Sequence, residues 1–427
     1  MTIPRAPGFD QSLHFVRDGY DFIARQCDAL GTDIFQGRLM LRNVVCMRGA
    51  AAAELAYDSD KFTRVGAMPI TILMLLQDFG SVQLLHGDAH RHRKAMFLEI
   101  GRPQAAAALA AHFIQEWEKA LPRWKRAPRI VLFPEMEAML TRCGAAWAGI
   151  PLSEEEARLR TREYSEMLAA TGTFGPGTVR ALWLRQRTER WARDILARVR
   201  AGEITPPPDS AVYKVAHHRD LEGKPLAVKI AAVELLNVLR AIVAVGRFIA
   251  FAGKALIEHP GARARIAGGD ARYVRNFVGE VRRTTPFFPI IGGRARADFH
   301  ALGHTFRKGD WVLLDLYGTD LHPRIWPEPA RFNPDRFLEK TPSAFELIPQ
   351  GAGDPTVTHR CPGEDLTLAL MSAAVRQLSV ALTYDVPEQD LSVSRTTIPA
   401  LPASGVILSS IRERPPVPHR AAAAADA

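Results

Sequence analysis

Cys361 lies in the segment Gln350-Gly351-Ala352-Gly353-Asp354-Pro355-Thr356-Val357-Thr358-His359-Arg360-Cys361-Pro362-Gly363-Glu364, a Gly- and Pro-rich loop that hands the chain to an apolar helical pattern. A cysteine delivered to a helix N-terminus meets unpaired N–H groups and the positive end of the helix dipole, which lower its pKa and favour the thiolate. Pro362 suits the first helical position. Such a thiolate can ligate iron, but a lone cysteine is more commonly an inert, buried small hydrophobe, so the assignment needs company. Glu280-Val281-Arg282-Arg283 supplies some: Glu280 and Arg283 share one helix face, and Arg336 in Phe332-Asn333-Pro334-Asp335-Arg336-Phe337 can reach back to them. A further cation, Arg240, stands in the apolar run Glu234-Leu235-Leu236-Asn237-Val238-Leu239-Arg240-Ala241-Ile242-Val243-Ala244-Val245-Gly246. Burying a guanidinium is costly unless it is paired. Its parallel donors match a carboxylate, while snorkelling or pairing with Glu234 is the plainer alternative.

The elements that must hold these groups are mainly helical. Periodic patterns predict helices over 104–124, 153–170, 179–201, 227–258, 271–284 and 364–382, with Ser153 and Glu156 forming a capping box. A hairpin is expected between Asp33 and Met47, and a Gly-containing turn precedes a strand in Phe306 to Leu314. Pro206-Pro207-Pro208-Asp209-Ser210 reads as a loop between helices, and no linker divides residues 1–414, which we expect to form a single domain followed by a disordered tail at 415–427. The net charge of +9 is spread along the chain, without the dense basic tract and aromatics of a nucleic-acid groove. Leu226 to Leu256 carries Lys229, Glu234, Arg240, Arg247 and Lys254, too many charges for a membrane span. Cys27, Cys46, Cys143 and Cys361 are too scattered for a zinc site or disulfide framework, which fits a cytoplasmic chain. His217-His218-Arg219-Asp220 is expected at the surface.

Taken in chain order, the helix with Glu280 and Arg283, the Pro-rich loop with Arg336, the cysteine loop and the helix after it resemble the cytochrome P-450 superfamily of haem-thiolate enzymes. The resemblance implies that superfamily's α-rich fold with small β-sheets, and haem b ligated by Cys361. It further implies a propionate contact at His359 and a structural triad of Glu280, Arg283 and Arg336. The stretch between Gly353 and Cys361 is longer than the superfamily's usual spacing. With Val312-Leu313-Leu314-Asp315-Leu316-Tyr317-Gly318 and Tyr384-Asp385-Val386-Pro387-Glu388-Gln389-Asp390-Leu391, it resembles the bacterial fatty-acid peroxygenase branch.

That likeness implies hydroxylation of a long- or medium-chain fatty acid at the α or β carbon, with some decarboxylation to terminal alkenes. Hydrogen peroxide would serve as oxidant, and no redox partner would be required. By the same resemblance Arg240 clamps the substrate carboxylate, which serves as acid–base, and Gln83 stands above the haem, where glutamine favours hydroxylation. His90, Lys94 and Arg64 would contact propionates, and Phe287 and Phe288 would wall the acyl channel. The helix centre has no Asp/Glu–Thr pair for delivering protons to bound oxygen, and Ala241 replaces the proline the family places after its arginine. Two other readings stay open: an oxygen-dependent monooxygenase with redox partners, and a non-catalytic haem-thiolate sensor in which His86 or His90 closes the distal side.

Overall fold

The computed structural model describes residues 3–173 and 175–414; the expected tail at 415–427 lies outside them. The core is organised around one helix, Val228–Glu258, whose Ala-, Leu- and Val-rich sequence is buried on nearly every face. Small residues let a second helix, Leu132–Trp147, press against it: a Cβ on Gly253 would sit 2.7 Å from Leu132, and one on Gly144 3.1 Å from Ile242. Helices Pro103–Arg126, Pro176–Arg200, Ala271–Thr284 and Glu364–Arg376 complete the main hydrophobic cluster.

The strands gather from distant parts of the chain. The largest sheet runs in the order Ile34–Leu39, Arg42–Met47, Trp311–Asp315, Ile290–Ala295, Phe62–Thr63. Arg42–Met47 and Trp311–Asp315 are parallel, with Val45 opposite Val312, and the other pairs are antiparallel. A three-stranded sheet joins Arg129–Val131, Ile407–Glu413 and Leu382–Asp385, and a small hairpin pairs Phe299–Ala301 with His304–Phe306. The mainly α architecture with small sheets is therefore as expected, including the hairpin and the capping box at Ser153.

Three expectations need correction. The last helix does not run to Leu382; it ends at Arg376, a wider turn covers Gln377–Ala381, and Leu382 pairs with Glu413, because Leu382-Thr383-Tyr384 gains a ladder with the C-terminal strand. The helix Leu132–Trp147 was not among those expected; Pro134 sits in its first turn, where its missing N–H has no partner to lose. His218 is half-buried rather than at the surface, because its segment folds onto His92, whose ring lies 5.0 Å away and whose Nε2 meets the Arg219 carbonyl at 2.7 Å.

Candidate active site

The cysteine loop closes on itself before it reaches the helix. The Cys361 N–H donates to the Gln350 carbonyl at 2.9 Å, and Gln350 Nε2 lies 3.7 Å from Sγ and 3.0 Å from Thr367 Oγ1. Pro362 is not the first helical residue: the helix begins at Glu364, with Gly363 as its cap. The expected lowering of the thiol pKa does not hold either. Burial pushes the Cys361 thiol up, and this outweighs the stabilising Gly363 N–H, Lys94 and Gln350. The sulfur is thus set beside the Gln350 amide and the Gly363 N–H, with Lys94 near enough to act on it.

Around the loop gather the basic residues expected at a propionate edge. His359 and His90 lie with ring centroids 4.1 Å apart. Lys94 Nζ donates to the carbonyls of Thr358, at 3.0 Å, and Arg360. Arg64 donates to the carbonyls of Gly292 at 2.7 Å and Ala56 at 3.1 Å, and lies over Tyr57. Among the described residues, none of these four side chains pairs with a carboxylate. Their mutual proximity is costly: burial, then Arg64, His90 and Lys94, depress His359 to about 2, and burial with Lys94 depresses His90 to about 4. Burial brings Lys94 down to about 8. Four potential cations without an anion form a site for acidic groups.

Behind the loop the buried triad is complete. Glu280 accepts from Arg283 Nε and Nη2, both at 2.8 Å, from Arg336 Nε at 3.1 Å and from the Asn333 N–H at 2.8 Å. The remaining guanidinium donors go to carbonyls, Arg283 to Asp320 and Pro329 and Arg336 to Pro327 and Arg331. The single stretch 320–336 is thereby tied to one helix. Arg282, beside this pair, bonds Glu364 at the start of the cysteine helix at 2.5 Å, and Arg360 bonds the same carboxylate at 2.8 Å.

On the opposite side, Ala241 is the one exposed residue in the stretch 231–253 of the long helix, so a space opens beside the middle of an otherwise buried element. Arg240, next to it, is 5 % exposed. Its donors meet the carbonyls of Leu75, at 3.1 Å, and Leu76, and Asn237 Oδ1 at 3.0 Å. No carboxylate pairs with it among the described residues. Burial, then the neighbouring Arg185, lowers its pKa to about 9. Arg185 is itself buried, and its Nη1 lies 3.5 Å from the same Leu75 carbonyl. Glu234, the alternative partner for Arg240, is engaged elsewhere, with Arg93 at 2.9 Å, the Val82 N–H at 2.8 Å and Asn237 Nδ2 at 3.0 Å.

Asn237 also donates to Gln83 Oε1 at 3.4 Å, so Gln83, Asn237 and Arg240 form one polar chain. Asn237 and Gln350 were missed in the sequence. Asn237 is one turn before Arg240 on the same helix face, a signal that was available. Phe287 is buried against Phe248 at 5.0 Å, while Phe288, 4.6 Å from Phe287, is 40 % exposed. His86 meets Thr63 Oγ1 at 2.7 Å.

Haem fits these residues. The cysteine sulfur, the basic cluster lacking an anion and the exposed centre of the long helix are the ligand, propionate and distal-wall features it demands, and Cys361, His359, His90, Lys94 and Arg64 would hold it.

The comparisons agree. The family model described as cytochrome P450 matches residues 269–391. Curated plant relatives match over a short segment: a geissoschizine oxidase of Alstonia scholaris is 36 % identical over 120 residues, 26 % of this chain and 24 % of the relative. A dimethylnonatriene synthase of Arabidopsis thaliana is 34 % identical over 25 % of this chain and 21 % of its own. The chain thus spans about a quarter of the length of those relatives. Solved structures match nearly end to end. Cytochrome P450SP alpha (CYP152B1) in complex with (R)-ibuprophen is 42 % identical over 95 % of this chain and 99 % of that one, with a TM-score of 0.92. Cytochrome P450EX alpha (CYP152N1) with myristic acid is 36 % identical over 97 % and 100 %, TM-score 0.93. Cytochrome P450 OleT F79A in complex with arachidonic acid is 31 % identical over 97 % and 99 %, TM-score 0.94. With end-to-end likeness at this identity added to the cysteine loop and buried triad, the chain belongs to the cytochrome P450 superfamily of haem-thiolate oxidoreductases and, within it, to the CYP152 family.

Proposed function

We propose that this protein uses hydrogen peroxide to hydroxylate fatty acids at the α or β carbon, in the cytoplasm and without a redox partner. The single observation that carries this reading is Arg240: a buried guanidinium beside the exposed centre of the long helix, bonded only to neutral oxygens. A carboxylate supplied from outside can take the place of those carbonyls and form the bidentate pair that the fold itself withholds. The fatty acids bound to cytochromes P450EX alpha and OleT support an acyl acid as that ligand.

Haem bound at Cys361 supplies the iron chemistry of oxidation. The residues of this chain do the rest. Arg240 fixes the acid head, so that only the first carbons of the chain stand at the reacting position. Asn237 holds Arg240 through Oδ1 and links it to Gln83. The held carboxylate moves a proton between the two peroxide oxygens at its own oxygen atoms, which replaces the missing acid–alcohol pair of the helix. Phe287 and Phe288 offer an apolar wall for the alkyl chain and exclude water from it. Ala241 in place of proline leaves the helix backbone intact after Arg240, which loosens the aim of the head group and broadens the ratio of α to β products. A non-catalytic sensor is disfavoured, since His86 is held by Thr63 and His90 packs on His359 at the propionate edge.

The test is turnover of the purified holoenzyme with hydrogen peroxide and a panel of fatty acids and their methyl esters, with no reductase present. Hydroxy acids from the acids and little product from the esters are expected. Turnover that requires NADPH and a reductase, or equal turnover of the esters, rejects the proposal.

A further inference from the structure

The hairpin joining Ile34–Leu39 to Arg42–Met47 turns through Met40 and Leu41, both in the left-handed region at φ 52° and 60°. Two-residue hairpin turns of this kind ordinarily use Asn-Gly, because L side chains, bulky ones above all, disfavour positive φ. Here both positions carry large apolar side chains, and both point into solvent, 55 % and 69 % exposed. The tip is not loose. Met40 N donates to Ser12 Oγ and Leu41 N to Asp10 Oδ2, each at 2.7 Å, so the turn is fastened to the N-terminal segment. That segment exposes three more large apolar residues, Phe9 at 73 %, Leu13 at 84 % and Val16 at 67 %.

We propose that Phe9, Leu13, Val16, Met40 and Leu41 form an anchor that docks this protein onto an anionic lipid bilayer. Five large apolar groups brought together, two of them on a strained turn, form a patch that water alone does not reward. The rim is basic: Arg5, Arg38 and Arg42 have no carboxylate partner among the described residues, while Arg17 and Arg25 are paired with Asp18 and Asp21. Three carboxylates there are already engaged, Asp10 by backbone N–H groups, Asp18 by Arg17 and Arg25, Asp21 by Arg25 and Arg395. Arginines at the edge of an apolar patch complement lipid phosphates.

The experiment is co-sedimentation of the full-length holoenzyme with vesicles of phosphatidylcholine alone or mixed with phosphatidylglycerol, with and without high salt. The chain should sediment with the mixed vesicles and less so in salt. The Met40→Asn, Leu41→Gly double variant restores the favoured turn, so it should melt no lower than the parent while binding vesicles at least about tenfold more weakly. Absence of binding by the parent, or equal binding by the variant, overturns the proposal. So does a concentration-dependent dimer that the variant abolishes, since the patch would then face a second copy. Peroxide turnover of a soluble short-chain acid should be the same in parent and variant, which separates failure of the anchor from failure of the catalytic reading.

Discussion

Replacing Arg240 by alanine tests the acid clamp directly, and its magnitude can be worked from the contacts. Truncating one partner of a buried charge pair costs about 2–5 kcal/mol, because the other charge is left desolvated. Here the abandoned carboxylate retains Arg185 within reach of the same Leu75 carbonyl, beside the exposed Ala241, so the lower part of that range applies. The expected loss is about 2–3 kcal/mol, or roughly 30- to 150-fold in the dissociation constant of a fatty acid. The methyl ester of the same chain should change by less than about threefold, since its head carries no charge to pair.

The pH profile is a second signature of the same residue. Burial and Arg185 bring Arg240 to about 9, so below that pH the free protein carries the charge and acid affinity should be flat. Above about 9 the free protein must take up a proton to bind, and affinity should fall about tenfold per pH unit. The linkage sign for the fold is the reverse of that for binding: a base depressed by folding penalises the folded state wherever it is charged, and the penalty is relieved as pH rises from about 9. Titrating acid and ester against parent and variant, by calorimetry from pH 7 to 10, reads all of this. An acid affinity untouched by the substitution, or acid and ester falling together, refutes the clamp.

Further outcomes follow from other buried polar groups. Glu280→Gln should destabilise the protein by about 3–5 kcal/mol in urea unfolding, because Arg283 and Arg336 both lose their anion; a shift under about 1 kcal/mol would contradict the ion-pair account. Asn237→Ala should weaken acid binding by about three- to tenfold with little effect on esters, by freeing the guanidinium it holds; equal effects on both would make its role purely structural. Asp315 is pushed up to about 7 by burial, so its contribution to stability is full below about 3.8 and lost as pH rises through about 7. Asp315→Asn removes that dependence and should gain about 2–3 kcal/mol on the parent between pH 5 and pH 8, whereas parallel pH profiles would rule the carboxyl out.

What was legible in the sequence was whatever local spacing encodes. Glu280 and Arg283 are one turn apart, so their pairing follows from helix geometry, whereas Arg336, 56 residues beyond Glu280, was placed with them by the family resemblance. The long helix, the hairpin and the capping box carry their own periodicity or cap chemistry. What was hidden depends on segments far apart in the chain. The thiol of Cys361 was expected to be lowered by a helix end, but desolvation by the surrounding loop decides its direction, and no spacing reports that. Likewise Arg240 meets Leu75 and Leu76, more than 150 residues upstream, rather than the nearby Glu234.

That last assignment has a consequence for the whole distal side. The long helix carries two buried charges, Glu234 and Arg240, six residues apart and so on different faces, where helix spacing does not pair them. Arg93 reaches in from another helix to satisfy Glu234, and Asn237 stands between the two, donating to the carboxylate and accepting from the guanidinium. A cation with no carboxylate partner among the described residues is held at a cost to the fold, and Arg185 beside it adds to that cost. Packing alone offers no reason to retain it, since an apolar side chain would fill the same volume without desolvating a charge. The arrangement is understandable if an anion arrives during function: the ligand's carboxylate then brings the missing charge, and the energy withheld in the free protein becomes affinity for acids over their neutral analogues.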